Sequence, residues 1–209
     1  MRTTRIGLVG AVAAILGWAG AAQASATIDL LWNGTSDTIP GLSSSSNITL
    51  HVVLTAGSRG SMGAGVSVDY SDALGRADLV GFSSSAPDSV FPIRLGSTFD
   101  TGARIRNING ACLPAAGMGS CLGAGESYLL GTLTFHKTAG AGSFEITSLL
   151  VQGPPDGSDG ILDAWGNNIS ATSTLNPAYV INPEPGTAAL FLIGLAGLAV
   201  ACRRPLARR

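Results

Sequence analysis

Between Thr27 and Ile181, apolar residues recur at every second position in short runs, and that spacing confines the segment to β-structure. Ile48, Leu50, Val52 and Leu54 lie two apart, with Thr49 and His51 among the intervening residues. Val66, Val68 and Tyr70 repeat the period around Ser67 and Asp69. Leu129, Gly131, Leu133 and Phe135 alternate with Thr132, Thr134 and His136, and Phe144 and Ile146 with Glu145 and Thr147. Each run places one face against a core and the other in water. Gly, Ser, Pro and Asn break the runs, and no window sustains a helical period of 3.6. The expected class is all-β, an antiparallel β-sandwich. A domain of this size buries roughly 70% of its unfolded surface, so it needs no metal or cofactor in order to fold.

The two ends read differently. Residues 1–26 combine Arg2 and Arg5, an apolar run from Ile6 to Ala22, and the small residues Ala22-Gln23-Ala24-Ser25-Ala26. A basic start, a short apolar centre and an A-x-A close make a secretory signal peptide, with a signal helix cut after Ala24 or Ala26. At the other end, Pro183-Glu184-Pro185 precedes an apolar run from Ala188 to Ala201 and then Arg203 and Arg204. That run gives a transmembrane helix of roughly 21–24 Å, short against a hydrocarbon core of about 30 Å. The prolines hold the preceding chain extended. Arg203 and Arg204 act as a membrane stop, keeping the tail cytoplasmic by the positive-inside bias and the middle domain outside the inner membrane. The residues alone also suit a plain tail anchor. Cys202, beside the stop, is either a lipidation site or an inert helix-end residue.

The order of motif, apolar segment and arginine tail over the last 27 residues or so resembles the PEP-CTERM sorting signal. The resemblance implies processing by an exosortase, a membrane-embedded transpeptidase-like enzyme, with Pro183, Glu184 and Pro185 as recognition residues. It also implies delivery to the surface or exopolysaccharide matrix of a Gram-negative bacterium. The resulting organisation is 1–26 signal peptide, 27–181 β-sandwich and 182–209 sorting signal.

Two stretches of the middle domain carry a second resemblance. Gly65-Val66-Ser67-Val68-Asp69-Tyr70-Ser71-Asp72-Ala73-Leu74 is similar to a strand and turn of cohesin-like domains, and Leu130-Gly131-Thr132-Leu133-Thr134-Phe135 to one of their later strands. The resemblance implies a jelly-roll sandwich serving as a binding or scaffolding module. It does not extend to dockerin binding, because the contact residues of cohesins have no counterparts that can be placed here.

Charge narrows the function classes. Of 12 basic residues, six lie at the ends (Arg2, Arg5, Arg203, Arg204, Arg208 and Arg209), and Glu184 is the one carboxylate there among 13. The middle is thus acidic by about six charges, which disfavours nucleic acid. Cys112 and Cys121, separated by a Pro- and Gly-containing stretch in an exported chain, are expected to form a disulfide in a loop or hairpin between Arg106 and Tyr128.

Signals of catalysis are sparse. His51 and His136 fall on the polar side of their strands, and there is no Gly-x-Ser-x-Gly elbow. The turn carrying Asp156, Asp159 and Asp163 could supply oxygens to calcium, although its spacing departs from the EF-hand loop and also suits a solvated turn. Asn33, Asn47 and Asn168 open formal glycosylation sequons. Trp32 and Trp165 could stack on sugars, and either also suits a core. These features lead to an exported surface or matrix protein with a binding or structural β module, possible partners being exopolysaccharide or matrix proteins. The alternative is a secreted glycoside hydrolase using a carboxylate pair.

Overall fold

The computed structural model describes residues 25–41, 45–100, 102–138, 142–151, 159–182, 191 and 193–195. Most of the expected signal segment, the motif Pro183, Glu184 and Pro185, the arginines Arg203 and Arg204, and Asp156 lie outside the described residues. Among the described residues no helix is long and apolar enough to cross a membrane.

Among the described residues twelve strands follow one another: β1 (Thr27–Trp32), β2 (Thr38–Pro40), β3 (Ser46–Thr55), β4 (Ser61–Asp69), β5 (Ala77–Ser84), β6 (Thr98–Asp100), β7 (Arg104–Ala111), β8 (Ser127–Lys137), β9 (Phe144–Leu149), β10 (Gly160–Asp163), β11 (Thr174–Asn176) and β12 (Ala178–Ile181). They form two sheets. The first runs β11-β1-β3-β8-β5, and the second β2-β12-β9-β4-β7-β6, with β10 also pairing with β4. One edge of β4 is held by β7, while the opposite edge is shared by β10 at its start and β9 at its end.

The sheets are mixed rather than purely antiparallel. β1 pairs with β11 in parallel, and β2 with β12 likewise. Pro177, lying between β11 and β12, has no N–H to offer a ladder, and there the chain leaves the first sheet for the second. The β1–β2 segment makes the same crossing in the same direction, so the two segments run side by side and parallel.

The core lies between the sheets and is built by the alternation. Ile28, Leu30 and Trp32 of β1 are fully buried, as are Leu50, Val52 and Leu54 of β3. Each such side chain contributes roughly 1.5–3 kcal/mol of transfer free energy. Trp32 sits at the centre, edge-on to Phe135 and Phe144 at centroid distances of 6.1 and 6.3 Å. Its Nε1–H donates to the Tyr179 carbonyl at 3.0 Å, which satisfies the indole's one polar group.

Two departures from the expected alternation have local causes. The β3–β8 register shifts so that Val52 faces Gly131 while Val53 faces Leu129. This bulge reverses the phase of β8, so Leu130 is fully buried and Leu129 is 36% exposed. In β4, Ser67 is buried although Val66 and Val68 occupy the core face. It points to the opposite face, where the Asp159 side chain meets it.

Candidate functional site

A groove of about 250 Å³ is lined by residues of β4, β7 and β10 and by a strap formed by residues 88–97. Small residues make its base. Gly63 has φ +153°, and a Cβ there would lie 2.4 Å from the Gly110 carbonyl oxygen, so close approach of β4 and β7 depends on its being glycine. Gly65 lies between Asn107, Asn109 and Asp159, which a Cβ there would meet at ordinary van der Waals distance, 3.5–3.7 Å. Ile93 and Leu95 of the strap and Leu162 of β10 add apolar surface.

Two asparagines bind the strap to the sheet. Asn107 occupies a bulge of β7 at φ +58°, a conformation asparagine adopts more readily than most residues. Its Nδ2 donates to the Gly96 carbonyl at 3.0 Å. Asn109 accepts the Leu95 N–H at 2.8 Å and donates to the Leu95 carbonyl at 2.8 Å and the Asn107 carbonyl at 2.6 Å. Ile93 and Ala111 exchange both backbone bonds, at 3.0 and 3.1 Å.

The far end of the strap is fixed by three side chains. The Tyr128 hydroxyl donates to Asp88 Oδ2 at 2.7 Å and accepts from Arg94 Nη2 at 2.7 Å. Asp88 Oδ1 accepts the Val90 and Phe91 N–H groups. The Tyr128 hydroxyl and these amides hold the Asp88 carboxyl below the usual carboxylate range. Burial, followed by the Asp88 hydrogen bond, pushes the Tyr128 hydroxyl up. Cys112 directly follows Ala111 and is joined to Cys121 with a Cα–Cα distance of 5.4 Å, in the β7–β8 connection where a bridge was expected. The closed loop leans on the strap through Ser120 N–H to the Ser89 carbonyl at 2.9 Å.

The acidic turn separates into two structural roles. Asp159 reaches back to β4, where its Oδ2 accepts from Ser67 Oγ at 2.5 Å and from the Val151 N–H at 2.9 Å. Asp163 is fully buried and accepts the Trp165 and Asn167 backbone N–H groups and the Asn167 side-chain amide, with Arg59 at 3.7 Å. Burial alone would raise the Asp163 carboxyl. The Asn167 side chain, the two backbone N–H groups and Arg59 outweigh it, leaving the carboxyl below its ordinary value. Among the described residues no three His, Cys, Asp or Glu gather as metal ligands.

The remaining candidates are dispersed. Trp32 is core, whereas Trp165 is 74% exposed at the tip of the hairpin whose stem residues Leu162 and Asn168 pair with each other and line the groove. The Arg59 guanidinium carbon lies 4.9 Å from the Trp165 ring centroid. His136 Nδ1 is 2.8 Å from Asn47 Oδ1, and His51 packs against the turn at Gly34. Asn33, Asn47 and Asn168 are all exposed. Sequence reasoning missed the groove and the asparagines beneath the strap, because neither Asn nor Gly at these positions forms a motif.

Among solved structures, a chain of the CaDoc0917–CaCohA2 complex is similar to this one, at a TM-score of 0.50 and 10% identity, covering 76% of this chain and 100% of its own. The fold is cohesin-like. At that identity the likeness concerns the fold alone. CaCohA2 from Clostridium acetobutylicum in solution (TM-score 0.48, 10% identity, 77% of this chain and 92% of its own) is also similar. So is a non-cellulosomal cohesin from the archaeon Archaeoglobus fulgidus (0.46, 14%, 79% and 97%). No family model matches the chain, and no curated protein matches it. In this cohesin-like sandwich, the groove lies on the outer face of the second sheet.

Proposed function

We propose that the chain is an exported protein, processed by an exosortase at Pro183, Glu184 and Pro185 with Arg203 and Arg204 as the stop. On this reading it is delivered to the cell surface or exopolysaccharide matrix, where its cohesin-like domain acts as a binding module. The observation that carries the binding role is the make-up of the groove. It is lined by small and apolar residues and by the Asn168 side chain, the Asn107 and Asn109 amides being engaged by the strap, and among the described lining residues Asp159 is its one carboxylate, already engaged by Ser67 and Val151. Hydrolysis of a glycosidic bond needs two carboxyl groups facing each other across the substrate. The site therefore supports binding over hydrolysis. Exopolysaccharide is the partner this reading favours, with matrix proteins second.

Intact mass and fractionation of the native protein test the sorting. The expected result is a mature chain lacking the apolar tail in the matrix fraction, and a Pro183→Ala/Glu184→Ala/Pro185→Ala variant retained in the membrane. A full-length mature chain, unaffected by the substitutions, would overturn it.

A further inference from the structure

From the Trp165 hairpin and the adjoining groove we infer a binding site for neutral polysaccharide, with one sugar ring on the Trp165 indole and the polymer continuing over Gly65. The inference rests on the matrix reading above and names its ligand class and site. A single exposed apolar residue needs no explanation in itself. Trp165 differs because it is held on two sides. Its backbone N–H is tied to the buried Asp163 carboxylate at 3.0 Å, and the Arg59 guanidinium lies over one face of its ring, so a sugar would take the other face. A large aromatic surface that is 74% exposed yet anchored in this way loses little freedom on binding, which is what a stacking platform for a sugar's C–H face requires.

The groove continues the platform, because Leu162 and Asn168 are each three residues from Trp165 in the same hairpin. At about 250 Å³ it is smaller than the roughly 300–1,000 Å³ of enclosing ligand pockets, so it suits one stretch of a polymer passing through rather than a molecule taken in whole. Charge selects the class of polymer. Arg59 is offset by Asp163, Asp159 is committed to Ser67 and Val151, and the middle of the chain is acidic by about six charges. Such a surface repels a polyuronate and leaves hydroxyl-rich, uncharged chains as the fitting ligand.

Affinity electrophoresis of the full-length chain in detergent micelles tests this, using gels that contain hydroxyethyl cellulose, galactomannan, dextran or alginate. Retardation by at least one neutral polymer and none by alginate is expected. Trp165→Ala should weaken binding about tenfold. Gly65→Leu, whose Cβ meets neighbours only at 3.5 Å or more, should fill the groove and abolish it, with both variants melting like the parent. Retardation by alginate, or unchanged binding by both variants, would overturn the site. A parent found in the matrix fraction but retarded by no neutral polymer would overturn the ligand class while leaving the matrix reading intact. Absence from the matrix, or capture of a protein at the groove in place of glycan, would remove the reading on which the inference rests.

Discussion

The hydroxyl of Ser67 and the carboxylate of Asp159 meet at 2.5 Å across 92 positions of sequence, on the face of β4 that points away from the core. This buried bond ties the start of β10 to a central strand. Asp159→Ala leaves the Ser67 hydroxyl and the Val151 N–H without this acceptor and should cost about 1–3 kcal/mol. Ser67→Ala should cost less, and the double variant should show coupling in urea unfolding. Additive effects would mean that the two side chains do not act as a pair.

Acid should weaken the fold through Asp163. Its folded carboxyl titrates below the ordinary value of 3.8, so the folded state holds the charged form more tightly than the unfolded chain does. That contribution is complete above the unfolded pKa of about 3.9 and is lost as pH falls through the lower folded value. Asp69 and Asp88 are lowered too and add to the same slope. Urea midpoints measured from pH 7 down to pH 2 should drop below about pH 4, and Asp163→Asn should flatten the drop.

Opening the Cys112–Cys121 bridge, which spans nine positions, should lower stability by about 2.5 kcal/mol, or roughly 5–10 °C in Tm. Because Ala111 is bonded to Ile93, the loosening should reach the strap. Hydrogen exchange at the Ile93 and Leu95 amides is expected to quicken on reduction ahead of the amides of β3.

The two described tryptophans should separate cleanly. Trp32→Ala empties the centre of the core and is expected to cost about 3–5 kcal/mol, whereas Trp165→Ala should cost under about 1 kcal/mol. Thermal melts of the two variants check this.

Calcium addition or chelation should leave Tm unchanged, since a cation at Asp159 and Asp163 would have to displace N–H and O–H donors already on both carboxylates. A calcium-dependent rise in Tm would show that the ion recruits this turn after all.

How far the sequence could be read depended on whether a feature was local. The inward sets of β3 and β9 follow from period two, and the cysteine pair from its spacing and the export expected of the chain. The phase of β8 did not follow, because Leu130 is one extra residue and a bulge is decided by the partner strand. Nor did the burial of Ser67, which depends on an acidic residue 92 positions away. Trp32 and Trp165 look equally aromatic in sequence, and what separates them is that one faces the opposing sheet while the other ends a short hairpin. The parallel pairs were hidden for a similar reason, since Pro177 marks a break but not the strand the chain will join.

That parallel arrangement bears on how the domain would carry a mechanical load. β12 is gripped on both sides, by β9 in antiparallel up to Val180 and by β2 in parallel up to Ile181. A pull along the axis of β12 runs at right angles to its ladder bonds with β9 and at a slant to those with β2. Those bonds then resist in shear as a group instead of opening one after another from a frayed end.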